Sequence, residues 1–372
     1  MAAAVMDCRN WDEDSYRDSI LQERETLCRT VFRTAFAPNS NPNPNHDIIV
    51  AASSDGSIAS YSISSCLALG YGNARAVQNL STAEPNCLIR GHDGPVYDVK
   101  FYGRGEDSLL LSCGDDGRVR GWKWKDLSES EVPILGSSVE PVIDLVNPQH
   151  RGPWGALSPI PENNAIAVDF KGGSVFAAAG DSCAYCWDLE SGKIKTVFKG
   201  HSDYLHCVVA RSSHSQIITG SEDGTARIWD CKSAKSIQVI DPRKDKDFKD
   251  SCSYVGCIAL DESESWLACG SGQSLSLWNL PARECVSGIT THACVQDILF
   301  DNNQILAVGA EALLNRYDMN GNIISQIHCA PQSAFSIALH PSGVAAVAGY
   351  GALVDIISQF GSHLCTFRCR GL

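Results

Sequence analysis

One pattern recurs seven times along this 372-residue chain, and it constrains the fold more than any single motif does. Each copy is a run of small and branched residues, a turn, and a second run that closes on a large residue. The copies read "IVAASSDGSIASYS" from Ile49, "LLSCGDDGRVRGWK" from Leu110, "VFAAAGDSCAYCWD" from Val175, "IITGSEDGTARIWD" from Ile217, "WLACGSGQSLSLWN" from Trp266, "ILAVGAEALLNRYD" from Ile305 and "VAAVAGYGALVDII" from Val344. The closing aromatic falls at Tyr61, Trp122, Trp187, Trp229, Trp278 and Tyr317, with Ile356 or Ile357 in the last copy. Alternation on both sides of a turn predicts a β-hairpin. The closer copies are 39 to 49 residues apart, which leaves room for two further short strands and matches one four-stranded propeller blade. The prediction is an all-β, seven-bladed β-propeller.

Two spacings exceed 60 residues and mark insertions near residues 64–85 and 126–161. The second contains "NPQHRGPWGALSPIPENN", whose turn formers do not continue a sheet. The charged stretch "DPRKDKDFKD" at 241–250 reads as a solvated loop. Residues 1–28 form an N-terminal extension that is partly helical, and residues 29–372 form the propeller. In that extension Tyr16, Ile20 and Leu27 make an apolar stripe, which either caps the propeller or docks on another subunit. At the far end "HLCTFRC", 363–369, is a strand that can serve as the outer edge of blade seven. An N-terminal strand is the alternative means of closing the ring.

Composition excludes several classes. Hydrophobic residues at 44% and charged residues at 20% fit a globular chain, and no run of eighteen apolar residues could span a bilayer. The opening residues lack the basic-then-apolar order of a secretory signal, which predicts an intracellular protein. In that setting the 17 cysteines are small, reduced, mostly buried residues rather than a disulfide framework. "CAYC" at Cys183–Cys186 resembles a metal pair until strand periodicity is applied, because residues three apart point to opposite faces. A net charge of −13 argues against a broad nucleic-acid surface. Any RNA contact is therefore expected to be indirect, and no metal or cofactor is expected.

Two copies carry a matching set of polar residues. His201, Thr219, Asp223 and Trp229 combine imidazole, hydroxyl, carboxylate and indole donor at spacings that His92, Ser112, Asp116 and Trp122 repeat. A His-Ser/Thr-Asp set invites a hydrolase reading, but no nucleophile elbow, phosphate loop or zinc-protease motif accompanies it. Its recurrence in a repeat favours a structural tetrad tying turns to strands. No catalytic residue is assigned, and the chain is read as a non-enzyme. Superimposed on the fourth copy are Arg227, Asp230 and Lys232, which can present charges to a protein partner.

The seven units, the "GH" turns and the terminal "WD" pairs resemble a WD40-repeat propeller from about residue 28 onward. The segments "DSYRDSILQERETLCRTVFRTAFAP", "GPVYDVKFYG", "NPQHRGPWGALSPIPENNA", "AAGDSCAYCWDLESGKIK" and "SQFGSHLCTF" resemble the plant THO complex subunit 6 family. That resemblance implies a scaffold in the nuclear THO/TREX assembly, which couples transcription to mRNA processing, splicing and export. It also implies a DWD box, a substrate-receptor role for a cullin-4 ubiquitin ligase through its damaged-DNA-binding adaptor, and negative regulation of abscisic acid signalling. The alternative is a WD40 scaffold acting solely as such a receptor. Localisation is expected to be nuclear, with an additional cytoplasmic pool. The box places Arg227, Trp229, Asp230 and Lys232 at the adaptor. Ala226 and Cys231 depart from its larger aliphatics, and Lys232 stands where Arg is usual.

Overall fold

The computed structural model describes residues 12–38, 48–71, 82–128, 134–137, 139–242 and 254–372. Seven sheets, antiparallel but for one added strand, follow one another in chain order and make seven blades. Their inner strands are Val31–Phe36, Val96–Tyr102, Asn163–Asp169, Leu205–Arg211, Val255–Leu260, Val295–Asp301 and Ala334–Leu339. Every one shifts register near its start, leaving Phe32, Tyr97, Asn164, His206, Gly256, Gln296 or Phe335 as an extra residue. A bulge adds local twist and bends a strand, so the same device recurs in every blade.

The core lies between blades rather than within them. In the fourth hairpin Ile217 pairs with Trp229, and both face blade three, while Ile218 and Ile228 face blade five. Middle strands thus bury both faces, as "VFAAA" within Ser174–Ala179 does throughout. Small side chains there let neighbouring blades approach closely. Cys183 and Cys186 follow the same alternation, packing into different inter-blade clusters.

Closure does not share a blade between the two ends of the chain. Val31–Phe36 is the inner strand of blade one and His363–Arg368 the outer strand of blade seven. The seam is held by an apolar cluster in which Val31 and Tyr61 of blade one meet Val354 and Phe367 of blade seven, and by polar bonds: Thr34 N–H donates to Ser336 Oγ at 2.9 Å, and Ala83 N–H to the Arg368 carbonyl at 3.0 Å. Helix α2 (Ile63–Tyr71), from the first insertion, packs on the outer strand of blade seven. Much of that insertion, 72–81, and residues 243–250 of the charged stretch lie outside the described residues.

The second insertion also supplies strands ahead of its turn-rich stretch: Ile134–Ser137 runs parallel to Cys87–Arg90 as a fifth strand of blade one, and Ile143–Val146 is the outer strand of blade two. Its β-branched and aliphatic residues pair with waiting blade edges, and the turn-rich stretch begins only at Asn147. Helix α1 (Glu13–Cys28) is capped at its N-terminus by Asp12 and leaves Tyr16 and Leu27 of the expected stripe 42% and 44% exposed.

Candidate binding face on blade four

The "GH" turn and the hairpin of blade four converge on one buried relay. The Asp223 carboxylate lies 2.7 Å from His201 Nδ1, and His201 Nε2 lies 2.8 Å from Thr219 Oγ1. Trp229 Nε1–H donates to the same hydroxyl at 2.8 Å. Burial would raise the Asp223 carboxyl, but hydrogen bonds from Thr225 and His201 outweigh it and hold the pKa at about 2. Burial in turn pulls His201 below the ordinary histidine value, against the attraction of Asp223. Gly200 is required by close approach: a Cβ there would come within 3.1 Å of both Arg227 Nη1 and the Trp229 ring.

Blade two builds only part of the same relay. His92 bridges Asp116 at 2.8 Å and Ser112 at 2.7 Å, and the Asp116 carboxyl is likewise held low by His92 and Arg120 against its burial. Trp122 does not join them. Its indole donates to the Val139 carbonyl at 3.0 Å, because the second insertion passes beside the ring and offers an acceptor that blade four lacks. Elsewhere Trp278 donates to Ser276, and Trp187 Nε1 is buried without a hydrogen-bond partner.

The four residues assigned to an adaptor separate into two groups. Trp229 is 2% exposed and belongs to the relay. Arg227 is half-buried over Gly200 at the relay end of its strand, about 10 Å of extended backbone from Asp230. Asp230 caps the turn that follows, accepting from Ser233 N–H at 2.9 Å and Ser233 Oγ–H at 2.5 Å, which lowers its pKa. Asp188 and Asp318 do the same in blades three and six, so this carboxylate is a turn cap of the repeat. Lys232 is exposed and lines a cleft of about 180 Å³ shared with Lys195, Ser212 and Ser215. Of the four, Lys232 is the one whose side chain is exposed, and its charge lies close enough to favour the Asp230 carboxylate.

Sequence reasoning missed the axial charges. Arg33 on the inner strand of blade one reaches Asp98 of blade two at 3.1 Å and Asp297 of blade six at 2.6 Å. Asp98 also accepts from Ile166 N–H of blade three, and Asp297 from Ile337 N–H of blade seven. The two aspartates outweigh the burial of Arg33 and raise its pKa. The trio lines a central channel of about 920 Å³ and ties five blades across the axis. A signal was present: "VYDVKF" and "VQDILF" put an acid in the same inward slot of an inner strand.

Seven blades, six of four strands and one of five, with a His-Thr-Asp-Trp relay define a WD40-type propeller, and the family model for the WD domain, G-beta repeat, matches residues 83–123, 192–230 and 244–279. The chain is 61% identical over 370 residues to THO complex subunit 6 of Arabidopsis thaliana, covering 98% of this chain and 99% of the relative. It is 27% identical over 354 residues to the Homo sapiens THO complex subunit 6, covering 92% and 93%, and 25% identical over 295 residues to that of Drosophila melanogaster, covering 73% and 78%. The chain belongs to the THO complex subunit 6 family.

Proposed function

We propose that this propeller is a non-enzymatic scaffold subunit of a nuclear THO/TREX assembly, holding other subunits in support of mRNA processing and export. The observation that carries the reading is similarity to THO complex subunit 6 over 98% of the chain, both insertions included, where a shared repeat alone would account for the blades. With a charge of −13, the chain contributes to RNA handling through the subunits it holds. A second reading rests on blade four: it is a substrate receptor for a cullin-4 ligase, acting in negative regulation of abscisic acid signalling. Its damaged-DNA-binding adaptor then meets the exposed Lys232 end of the strand.

Native purification of the tagged full chain from plant nuclei, followed by quantitative mass spectrometry, tests both readings. Recovery of THO subunits is the expected result, and their absence under conditions that preserve the assembly sinks the scaffold reading. Lys232→Glu should reduce co-purified ligase adaptor by tenfold or more and leave THO subunits and melting temperature unchanged. Undiminished adaptor in that variant removes Lys232 from the contact, and an adaptor absent from the wild-type sample removes the receptor reading.

A further inference from the structure

The turn-rich stretch after Asn147 is anchored at its base and apolar at its tip. Asn147 is 3% exposed; its side-chain amide donates to the Pro161 carbonyl at 3.0 Å and to Asn163 Oδ1 at 2.7 Å, and its backbone N–H to the Gly117 carbonyl at 3.0 Å. One step out, Ser158 N–H donates to the His150 carbonyl at 2.8 Å and His150 N–H to Ser158 Oγ at 2.9 Å. The His150 ring lies 2.5 Å from Asp181 in a turn of blade three. A bridge between Arg151 and Leu157 then closes a small hairpin, tightened by Gly152 N–H on the Ala156 carbonyl at 2.8 Å.

At its apex stands Trp154, 104% exposed, with φ of +71°. Gly155 follows at +78°. Left-handed backbone suits Gly, Asn or Asp, and a bulky residue there carries strain. Neither folding nor burial is served by an indole in this place. Leu157 is 57% exposed beside it, and Gly152, Gly155, Ala156 and Pro159 are exposed as well. A large aromatic presented on braced backbone loses little entropy on docking, which is the character of an interface hot spot.

We propose that the Trp154 hairpin is a docking knob that inserts into an apolar pocket on another subunit of the assembly, a deepening that rests on the scaffold reading above. The pocket is expected to carry a carboxylate at its rim. From Leu145 to Pro161 the ionisable side chains are His150 and Arg151, with no acid among them, and His150 is taken by Asp181. Arg151 is therefore the exposed charge that the partner must answer. A protein fits better than RNA, although Trp beside Arg is also a base-stacking pair. The turns of blades two and four, on either side of blade three, present exposed Asp93, Asp115, Asp203 and Glu222, and the chain carries a net charge of −13, which disfavours phosphate.

The experiment compares the full-length wild type with Trp154→Ala and Arg151→Glu in nuclear affinity purification, and measures binding of each purified chain to a 20-nucleotide oligouridine. Both variants should keep the wild-type melting temperature within about 2 °C, since removing an exposed side chain deletes no packing. Trp154→Ala should reduce at least one THO subunit by tenfold or more, and Arg151→Glu should reduce the same subunit. A photo-crosslinker in place of Trp154 should capture a peptide of that subunit. If wild type recovers THO subunits and Trp154→Ala recovers them equally, the knob is overturned and the scaffold reading stands. If wild type recovers none, both fall. If Trp154→Ala leaves the subunits in place and weakens oligouridine binding tenfold, the hairpin is an RNA contact and the protein-pocket assignment is overturned.

Discussion

Blades two and four carry the same four residue types at comparable spacing, yet only blade four wires them into a continuous relay. There the Thr219 hydroxyl sits between His201 and Trp229, so carboxylate, imidazole, hydroxyl and indole form one chain. In blade two the chain stops at Ser112, and Trp122 turns to Val139 in the second insertion. Matching residue types therefore fix which groups need partners without fixing which partners they take. A backbone carbonyl delivered from outside the repeat satisfies an indole as well as a hydroxyl inside it.

The largest expected effect does not separate the blades. Trp229→Ala and Trp122→Ala each empty a site that is 2% exposed and should each destabilise the propeller by about 3–5 kcal/mol. Trp229 also packs on Phe198 and His201, with ring centroids 5.9 Å away in both cases. Denaturant unfolding monitored by fluorescence measures both losses. A cost under about 1 kcal/mol at either site would mean that its blade opens before the rest of the ring.

The hydroxyl substitutions do separate them. Thr219→Val preserves shape and leaves Trp229 Nε1–H without an acceptor and the imidazole Nε2 without a donor, at about 2–4 kcal/mol. Ser112→Ala strands only the imidazole and should cost about 1–3 kcal/mol. The blade-four penalty should exceed the blade-two penalty in paired melts. Equal penalties would show that the indole contributes nothing through Thr219, and the contrast between the blades would be broken.

How much of this was legible depends on whether the signal was local. The seven hairpins were readable because a run of small and branched residues such as Ile217 to Ser221, buried on both faces, recurs before each turn. His201, Asp223 and Thr219 were readable because a repeat copied them. Two features were not local. Trp122 was intercepted by a segment outside its own repeat. Arg33 finds Asp297 across 264 residues, a pairing that closure of the ring creates and no window along the chain contains. Asp230 matched an interaction motif, but a turn cap and a partner contact ask for the same carboxylate, and only the position of Ser233 distinguishes them. Lys232 kept its assigned exposure.

Acid sharpens the comparison most finely. Burial sets His201 below 6.5, so its contribution to stability is complete above that value and is lost as pH falls through the lower folded pKa. The carboxylates act further down: Asp223 is lowered from 3.8 to about 2 and Asp116 is lowered as well, so their contributions are present above pH 3.8 and are lost as the folded groups protonate. On acidification His201 should ease unfolding first, and the lowered carboxylates, Asp223 and Asp116 among them, at lower pH. Melting temperature followed from pH 8 to pH 3 should fall first below pH 6.5. His201→Asn should melt lower throughout yet lose less between pH 6.5 and pH 5, because the unfolded chain no longer gains a proton there that the folded blade resists. Parallel curves for wild type and variant across that interval would remove His201 as the group responsible.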